Sequence, residues 1–270
     1  MKIFIDSADI DEIREAYSGG VLDGVTTNPS LIKKATAKRP GLNMKDYINK
    51  ILTIAEGTPV SLEVLATSYQ GMIKEGIKLY QIFNSVAENV VIKVPVNPSL
   101  QKEPSYDGIK AIKELTDQGI PVNATLIFTP EQALLAAKAG AVFVSPFAGR
   151  VDDFIRNNHE IKYDKTDYFP ASGWKNESTG KEMEDNGIVS GIDLVSQCVE
   201  IFREFDLQSE VLAASLRNPR QVREAALVGA DIATLPFPVI KSLLYHFKTR
   251  EGMENFIRDS VPEYAALFEE

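Results

Sequence analysis

Short apolar segments alternate with longer amphipathic segments along nearly the whole chain. The apolar segments are typical of strands that are buried on both faces, and the longer ones carry apolar residues at helical spacing. Strands are predicted at residues 3–6, 24–26, 60–65, 90–94, 122–126, 142–145, 211–214 and 232–235. Helices are predicted at residues 9–18, 44–55, 68–86, 106–118, 130–139, 188–205, 219–228 and 238–247. Eight strands, each followed by a helix, predict an α/β protein built as a single (β/α)8 TIM barrel, with a doubly wound open sheet as the alternative.

Two parts of the chain depart from this alternation. The polar stretch 150–186 contains the only tryptophan, Trp174, and predicts an extended loop after the sixth strand, at the barrel mouth. It would be a lid or rim, a decoration, or disordered. Residues 252–270 predict a C-terminal helical segment that either closes the bottom or side of the barrel or is exchanged or docked between subunits. No linker or repeat is visible, so residues 1–270 are predicted to form one domain.

The composition narrows the choice of partners. The chain has 29 Lys and Arg against 38 Asp and Glu, a formal net charge of −9, so neither nucleic acid nor an anionic membrane surface is an expected partner. No apolar run approaches the roughly 18 residues of a membrane span. The single cysteine, Cys198, can form no intramolecular disulfide and the first residues lack an apolar leader, so a cytoplasmic location is expected.

The same composition limits the chemistry. With two histidines, His159 and His246, and one cysteine, a zinc site of imidazole and thiolate ligands is nearly impossible to assemble, and no metal site is predicted. The acidic pair Asp152 and Asp153 is too generic to indicate magnesium. Any chemistry is therefore expected to use Lys, carboxylate, amide and hydroxyl groups.

Polar residues stand within or directly after several of the apolar strands, where the active sites of TIM barrels gather. They are Asp6, Thr26, Thr27, Asn28, Glu63, Lys93, Asn123, Thr125, Ser145, Ser215 and Arg217. The most informative is Lys93 in VVIKVPV, because desolvation favours the neutral amine, which is a nucleophile for carbonyl groups. The alternatives are a buried ion pair with Asp6 or Glu63, or a lysine at a strand end that reaches solvent.

The neighbouring carboxylates and two arginines extend this hypothesis. Asp6 and Glu63 would transfer the protons that a Schiff base requires, or would merely neutralise Lys93. Arg150 follows SPFAG, and Arg217 follows Ser215 just before a helix. Guanidinium groups beside a helix N-terminus form an anion site; alternatively, these arginines are solvated surface charges.

The segments KIFIDSADIDEI, GVTTNPSLI, VIKVPV, NATLIF, SPFAGR and AASLRNPRQV together resemble the transaldolase family, in order and over nearly the whole chain. The resemblance implies a class I aldolase barrel without metal or organic cofactor, in which Lys93 forms the imine. It implies acid and base roles for Asp6 and Glu63, with Thr125 holding a water that relays the Glu63 proton. It also implies that Asn28, Asn123 and Ser145 hold hydroxyls and the intermediate, that Thr26 lines the site, and that Arg150, Ser215 and Arg217 bind a sugar phosphate. Related enzymes form dimers or larger rings, so a homo-oligomer is expected.

The resemblance also bears on the reaction. A short subgroup of the family splits fructose 6-phosphate and carries Gln and Tyr where this chain has Glu63 and Phe147, and Ser145 also follows the transaldolase pattern. The expectation is transfer of dihydroxyacetone from a ketose phosphate to an aldose phosphate in the pentose phosphate pathway. The alternatives are a fructose-6-phosphate aldolase, a sulfosugar transaldolase and a non-catalytic phosphosugar-binding barrel.

Overall fold

Parallel strands close into a barrel, as the alternating pattern predicts. The computed structural model describes residues 1–37, 41, 43–176 and 179–268. Its strands are β1 (Lys2–Asp6), β2 (Gly24–Thr26), β3 (Val60–Glu63), β4 (Val90–Pro95), β5 (Val122–Ile127), β6 (Phe143–Pro146), β7 (Trp174–Lys175), β8 (Glu182–Met183), β9 (Glu210–Ala213) and β10 (Ile232–Leu235). The short β7 and β8 pair separately, and the other eight form the ring in chain order, closed between β10 and β1. The predicted TIM barrel is thus confirmed.

Helices cover the outside of this barrel. They are α1 (Ile10–Ser18), α2 (Pro29–Ala37), α3 (Met44–Ile54), α4 (Tyr69–Ala87), α5 (Asp107–Asp117), α6 (Pro130–Lys138), α7 (Ala148–Asn158), α8 (Gly191–Glu204), α9 (Pro219–Leu227), α10 (Phe237–Ser242), α11 (Phe247–Arg258) and α12 (Pro262–Ala265), followed by a 3₁₀ turn at Ala266–Phe268. The eight predicted helices are present, although α10 ends before its predicted limit. Among the described helices, none is both long and apolar enough to cross a membrane.

Apolar side chains fill the interior of the barrel below its C-terminal end. They belong to a cluster formed by Phe4, Val91, Phe143, Phe147, Leu212, Ala214 and Ile232. The rings of Phe4 and Phe143 meet edge to face with their centres 5.8 Å apart. A side chain at Gly24 would lie 2.7 Å from the Phe4 ring, so the glycine makes room for this ring. The polar strand ends lie above this packed cluster, at the end of the barrel where TIM-barrel active sites form.

The stretch 150–186 differs from the predicted loop. Its first part belongs to α7, whose buried face includes Asp152 and Arg156 beside apolar residues, so hydrophobicity alone did not indicate a helix. Further along, β7 and β8 pair with each other, and the carbonyl of Thr166 accepts from Asn218 Nδ2 at 3.3 Å. No described residue of 159–186 lines the central cavity. Residues 177 and 178 lie outside the described residues.

The C-terminal segment is helical, as predicted over 252–270, with residues 269 and 270 outside the described part. Neither α11 nor α12 contains a buried residue. The apolar side chains of these two helices therefore lie outside the hydrophobic core of the barrel. Phe256 and Ile257 on α11 are 73% and 71% exposed.

Candidate active site

Lys93 lies on β4 with its side chain inside the barrel and is 5% exposed. Its Nζ donates to the carbonyl oxygen of Thr27 at 3.2 Å and lies 3.3 Å from Oε2 of Glu63. Lys93 and Glu63 are register partners on neighbouring parallel strands, so both side chains point to the barrel interior. The amine is therefore shielded from bulk water, which excludes the alternative of a strand-end lysine that reaches solvent.

Asp6 ends β1 on the other side of the same cavity. Its Oδ1 accepts a hydrogen bond from Thr26 Oγ1 at 2.8 Å. Burial raises the pKa of Asp6 above its ordinary value of 3.8, while the charge of Lys93, the Thr26 hydrogen bond and the charge of Arg150 pull this pKa down. Burial is the largest of these effects, so the carboxyl group holds a proton more readily than an exposed one.

Two hydroxyl residues that the sequence analysis did not single out join these polar groups. Thr234 on β10 is buried and its Oγ1 lies 2.6 Å from Thr26 Oγ1. Ser61 on β3 accepts from Asn123 Nδ2 at 3.1 Å, and Asn123 Oδ1 in turn accepts from Ser145 Oγ at 2.7 Å. Thr234 and Ser61 are both polar residues inside apolar strands. The same signal had indicated Asn123, so it could also have indicated these two.

The strand ends enclose a cavity with about 420 Å³ of empty space, its open mouth included. Of the twelve predicted site residues, eight line it: Asp6, Thr26, Asn28, Lys93, Ser145, Phe147, Arg150 and Ser215. Thr234 lines it as well. Glu63 and Asn123 lie behind this lining, against Lys93 and Ser145.

Thr125 and Asn28 differ in what their side chains already bind. Thr125 on β5 is fully buried, and its Oγ1 has no hydrogen-bond partner among the described residues. Asn28 caps α2, because its Oδ1 accepts from the backbone N–H of Leu31 at 3.0 Å. The group that Asn28 can offer to a ligand is therefore its Nδ2 amide, while Thr125 offers a hydroxyl to any small molecule that reaches it.

A positively charged end of the cavity forms where α7 begins. Arg150, in the first turn of α7, lies with Cζ 4.8 Å from the centre of the Phe147 ring. Ser215, in the loop after β9, adopts a φ of 63° and lines the same end. A side chain at Gly149 would lie 2.2 Å from the carbonyl oxygen of Ser215 and 2.9 Å from Arg217 Nε, so the close contact of α7 with this loop requires glycine.

Arg217 differs from its predicted position in an anion clamp, because it does not line the cavity. Its Nη1 and Nη2 donate to the two carboxylate oxygens of Asp153, at 2.6 and 2.5 Å. Nη1 also donates to the carbonyl oxygen of Lys165 at 3.3 Å. Two N–H groups that were expected to face an anion are thus used inside the protein, and Arg150 is the arginine that borders the cavity directly.

A buried hydrogen-bond chain fixes the backbone at the same loop. Arg217 N–H donates to Gln221 Oε1 at 2.8 Å, Gln221 Nε2 donates to Asp152 Oδ2 at 2.7 Å, and the N–H of Gly191 donates to Asp152 Oδ1 at 2.7 Å. Burial raises the pKa of Asp152 to about 7, although all of these donors and the nearby arginines act against the rise. Asp152 and Asp153, which the sequence left without a role, therefore hold the loop that carries Ser215.

These groups define the chemistry that the cavity can support. It combines a shielded primary amine, the carboxylates of Asp6 and Glu63, a set of hydroxyl and amide groups, and the guanidinium group of Arg150. An amine of this kind can attack a carbonyl, and carboxylates near it can move protons.

Comparison with known proteins agrees with this arrangement. Residues 3–269 match the family model described as "Transaldolase/Fructose-6-phosphate aldolase". The chain belongs to this transaldolase and aldolase family. It is accordingly an enzyme of that family, which sets aside the non-catalytic barrel.

Several curated relatives align over almost the full length of both chains. The chain is 42% identical over 260 residues to a protein of Caldicellulosiruptor saccharolyticus named "Probable transaldolase", with 96% of each chain covered. It is 44% identical over 259 residues to a protein of the same name from Desulfatibacillum aliphaticivorans, covering 96% of this chain and 97% of the relative. A family member from Thermoplasma acidophilum, again named "Probable transaldolase", is 40% identical over 259 residues, with 96% and 95% covered.

Likeness to solved structures bears on the fold alone. A protein described as a lactate oxidase from Pediococcus acidilactici superposes with a TM-score of 0.50 at 14% sequence identity. The superposition covers 88% of the present chain and 63% of the oxidase, which is just under two thirds of the oxidase.

Proposed function

We propose that the enzyme is a transaldolase that transfers dihydroxyacetone from a ketose phosphate to an aldose phosphate through a Schiff base on Lys93. The donor would be sedoheptulose 7-phosphate or fructose 6-phosphate, and the acceptor glyceraldehyde 3-phosphate or erythrose 4-phosphate. The observation that carries the proposal is the Lys93 amine, shielded inside the barrel, 3.3 Å from Glu63 and in the same cavity as Asp6. These sugars belong to the pentose phosphate pathway, for which a cytoplasmic location is our expectation.

The first half of the reaction uses the amine and Glu63. Neutral Lys93 attacks the ketose carbonyl carbon, and the resulting carbinolamine loses water to give the imine. Glu63 supplies and recovers protons in these steps, through a water that Thr125 holds. The Thr125 hydroxyl supports this assignment, since it is buried and lacks a partner in the described part of the protein.

Asp6 acts in the step that breaks the carbon–carbon bond. The imine carbon is C2 of the sugar. Asp6 removes the proton of the C4 hydroxyl, the C3–C4 bond breaks, and the electron pair of that bond moves into the iminium group. An aldose leaves and a three-carbon enamine stays on Lys93. The enamine then attacks the acceptor aldehyde, Asp6 returns the proton to the new alkoxide, and hydrolysis frees Lys93.

The remaining residues hold the sugar along its length. Asn28, Asn123, Ser145 and Thr26 would bind hydroxyl groups or orient those that do. The phosphate would lie at the N-terminus of α7, near Arg150 and Ser215, because a helix N-terminus and a guanidinium group both favour an anion. Arg217, whose guanidinium group is paired with Asp153, would contribute from behind Gly149 by fixing the loop.

Two residues favour the proposal of a transfer reaction over that of simple aldol cleavage. Glu63 and Phe147 stand where the fructose-6-phosphate aldolase subgroup carries Gln and Tyr. Phe147 presents an apolar ring to the cavity and has no hydroxyl with which to bind a water or donate a proton. A drier cavity of this kind favours attack by the enamine on an acceptor aldehyde over its protonation and release.

An assay of transfer against release tests the proposed reaction. Wild-type enzyme is given fructose 6-phosphate with and without erythrose 4-phosphate, and free dihydroxyacetone and sedoheptulose 7-phosphate are measured by mass spectrometry. We expect the seven-carbon product to form at least ten times faster than dihydroxyacetone is released. Release at a rate equal to transfer would make the enzyme an aldolase. A sulfonated ketose and an unphosphorylated ketose in the same panel show whether the anion end selects phosphate.

The C-terminal segment supports a homo-oligomer. The exposed apolar residues Phe256, Ile257, Tyr264 and Leu267 pack on no core of their own barrel. A second copy of the chain is the occupant we propose, since apolar helix faces of this size in a stable enzyme are usually covered.

Changing this face is expected to alter the assembly. Phe256→Glu combined with Ile257→Glu places two charges on the apolar face of α11 and should give a particle of lower mass by light scattering. Asn255→Glu, on the opposite face of the same helix, should leave the mass unchanged. A wild-type enzyme with the mass of a single chain would contradict the proposal.

A further inference from the structure

Thr234 occupies a position in the cavity that neither the motifs nor the proposed mechanism explains. It lies on β10, a strand whose other residues are Ile, Ala and Leu, and it is 4% exposed. β10 pairs with β1, and β1 pairs with β2, so Thr234, Asp6 and Thr26 come from three adjacent strands. A hydroxyl buried in an apolar strand needs a hydrogen-bond partner. Here the partner belongs to the site.

The three side chains form a directed chain of hydrogen bonds. Thr26 Oγ1 donates to Asp6 Oδ1 at 2.8 Å, and Thr26 Oγ1 lies 2.6 Å from Thr234 Oγ1. A threonine hydroxyl has one hydrogen. Since Thr26 gives its hydrogen to Asp6, Thr234 must be the donor in the contact between the two threonines. The order of donation is therefore Thr234 to Thr26 to Asp6.

This chain fixes one oxygen of Asp6 and leaves the other available. With Oδ1 held by Thr26, Oδ2 is the oxygen that can reach a substrate hydroxyl. When Asp6 takes up the substrate proton on Oδ2, Oδ1 still accepts from Thr26 Oγ1, so the carboxyl group keeps its orientation in both protonation states. A base that must accept and then return a proton benefits from such a fixed orientation.

We infer that Thr234 is a positioning residue for the carbon–carbon bond-breaking step, acting on Asp6 through Thr26. The inference rests on the function proposed for Asp6. Thr234 makes no covalent contribution to the reaction. It orients the Thr26 hydroxyl, and that hydroxyl in turn orients the Asp6 carboxylate. Its removal should slow the step that Asp6 performs and should leave binding of the sugar phosphate nearly unchanged, because the hydroxyl chain includes neither Arg150 nor Ser215.

Other charged groups around Asp6 do not depend on Thr234. Lys93 on β4 and Arg150 on α7 both act on the Asp6 carboxyl, and Glu63 on β3 lies beyond Lys93. The neighbouring cavity, which Asp6 also borders, contains Asp9, Glu12 and Lys34. A change confined to Thr234 leaves all six in place, so a shift in the pH profile reports on the hydroxyl chain.

Thr234→Val tests the inference, because valine keeps the shape and removes the hydroxyl. We expect kcat to fall about tenfold, the size of one hydrogen bond, with KM changed less than threefold. The hydrogen bond from Thr26 favours the charged form of Asp6. A Thr26 hydroxyl that Thr234 no longer orients holds Asp6 less firmly, so we expect the pKa of Asp6 to rise further and the acid limb of kcat/KM to move to higher pH. Thr234→Ser restores the donor and should return both kcat and the limb toward wild type.

Two controls distinguish loss of the hydroxyl chain from a general effect of removing a threonine hydroxyl. Thr116→Val removes a half-buried hydroxyl bonded to the Ala139 carbonyl, away from the cavity, and should keep wild-type activity. Because Thr234 acts through Thr26, the variant Thr26→Val and the double variant should have equal defects. If Thr234→Val folds poorly, Thr234→Ala removes the same hydroxyl and takes its place in this comparison.

The outcomes are distinct. A Thr234→Val enzyme with wild-type kcat and acid limb, beside an inactive Asp6→Asn enzyme, overturns the inference and leaves the proposed function intact. Wild-type activity of Asp6→Asn itself overturns the role of Asp6, and the inference with it. Defects that add in the double variant also contradict action through Thr26.

Discussion

Replacing Lys93 with methionine is expected to lower kcat by about a thousandfold or more, because the covalent route is lost with its nucleophile. Lys93→Arg should be equally inactive, since a guanidinium group keeps the charge beside Glu63 but does not form an imine at neutral pH. The pair of variants separates the two interpretations of Lys93: an ion-pair role would let arginine restore activity, whereas a Schiff-base role would not.

Reductive trapping shows the same result directly. Wild-type enzyme treated with borohydride and fructose 6-phosphate should carry a reduced adduct on the peptide that contains Lys93, and both variants should carry none. Lys138→Met, at the exposed end of α6, is the matched control and should behave as wild type. An adduct on another lysine, or turnover by Lys93→Met near the wild-type rate, would remove the central element of the mechanism.

The barrel and its strand ends were accessible from the sequence because burial on both faces makes parallel strands uniformly apolar. Against that background one lysine or one asparagine is conspicuous, as Lys93 and Asn123 are. Ser61 and Thr234 gave the same signal more weakly, since a single hydroxyl disturbs an apolar strand less than a charge does. What could not be seen was the direction of donation, which depends on atoms from three strands.

The surroundings of the charged end were less predictable. Helix α7 buries Asp152 and Arg156, so its buried face does not look hydrophobic in the sequence. The partner of Arg217 lies 64 residues away, at Asp153, and no local pattern indicates that pairing. Long-range polar contacts of this kind follow from the fold and were available only once the barrel had placed α7 beside the loop after β9.

Replacing Asp6 with asparagine is expected to lower kcat by about 10²–10⁴, the usual contribution of a positioned proton acceptor. Asparagine has nearly the shape of aspartate and can keep the Thr26 contact, but it cannot take a proton. Amine attack by Lys93 does not require Asp6, so borohydride should still trap an adduct. That adduct should have the mass of the intact six-carbon donor, whereas the wild type also yields the three-carbon fragment. Asp117→Asn, on the exposed side of α5, is the control.

The pH dependence of the wild type gives the second measurement. Asp6 must be ionised to accept the hydroxyl proton, and burial raises its pKa above 3.8. As pH falls, kcat/KM should therefore begin to drop at a higher pH than an exposed carboxyl group would give, and the residual activity of Asp6→Asn should lack this acid limb. A three-carbon adduct formed by Asp6→Asn at the wild-type rate, or an acid limb that survives the substitution, would assign the bond-breaking proton transfer to another group, such as Glu63, whose Oε2 lies 3.3 Å from the Lys93 amine.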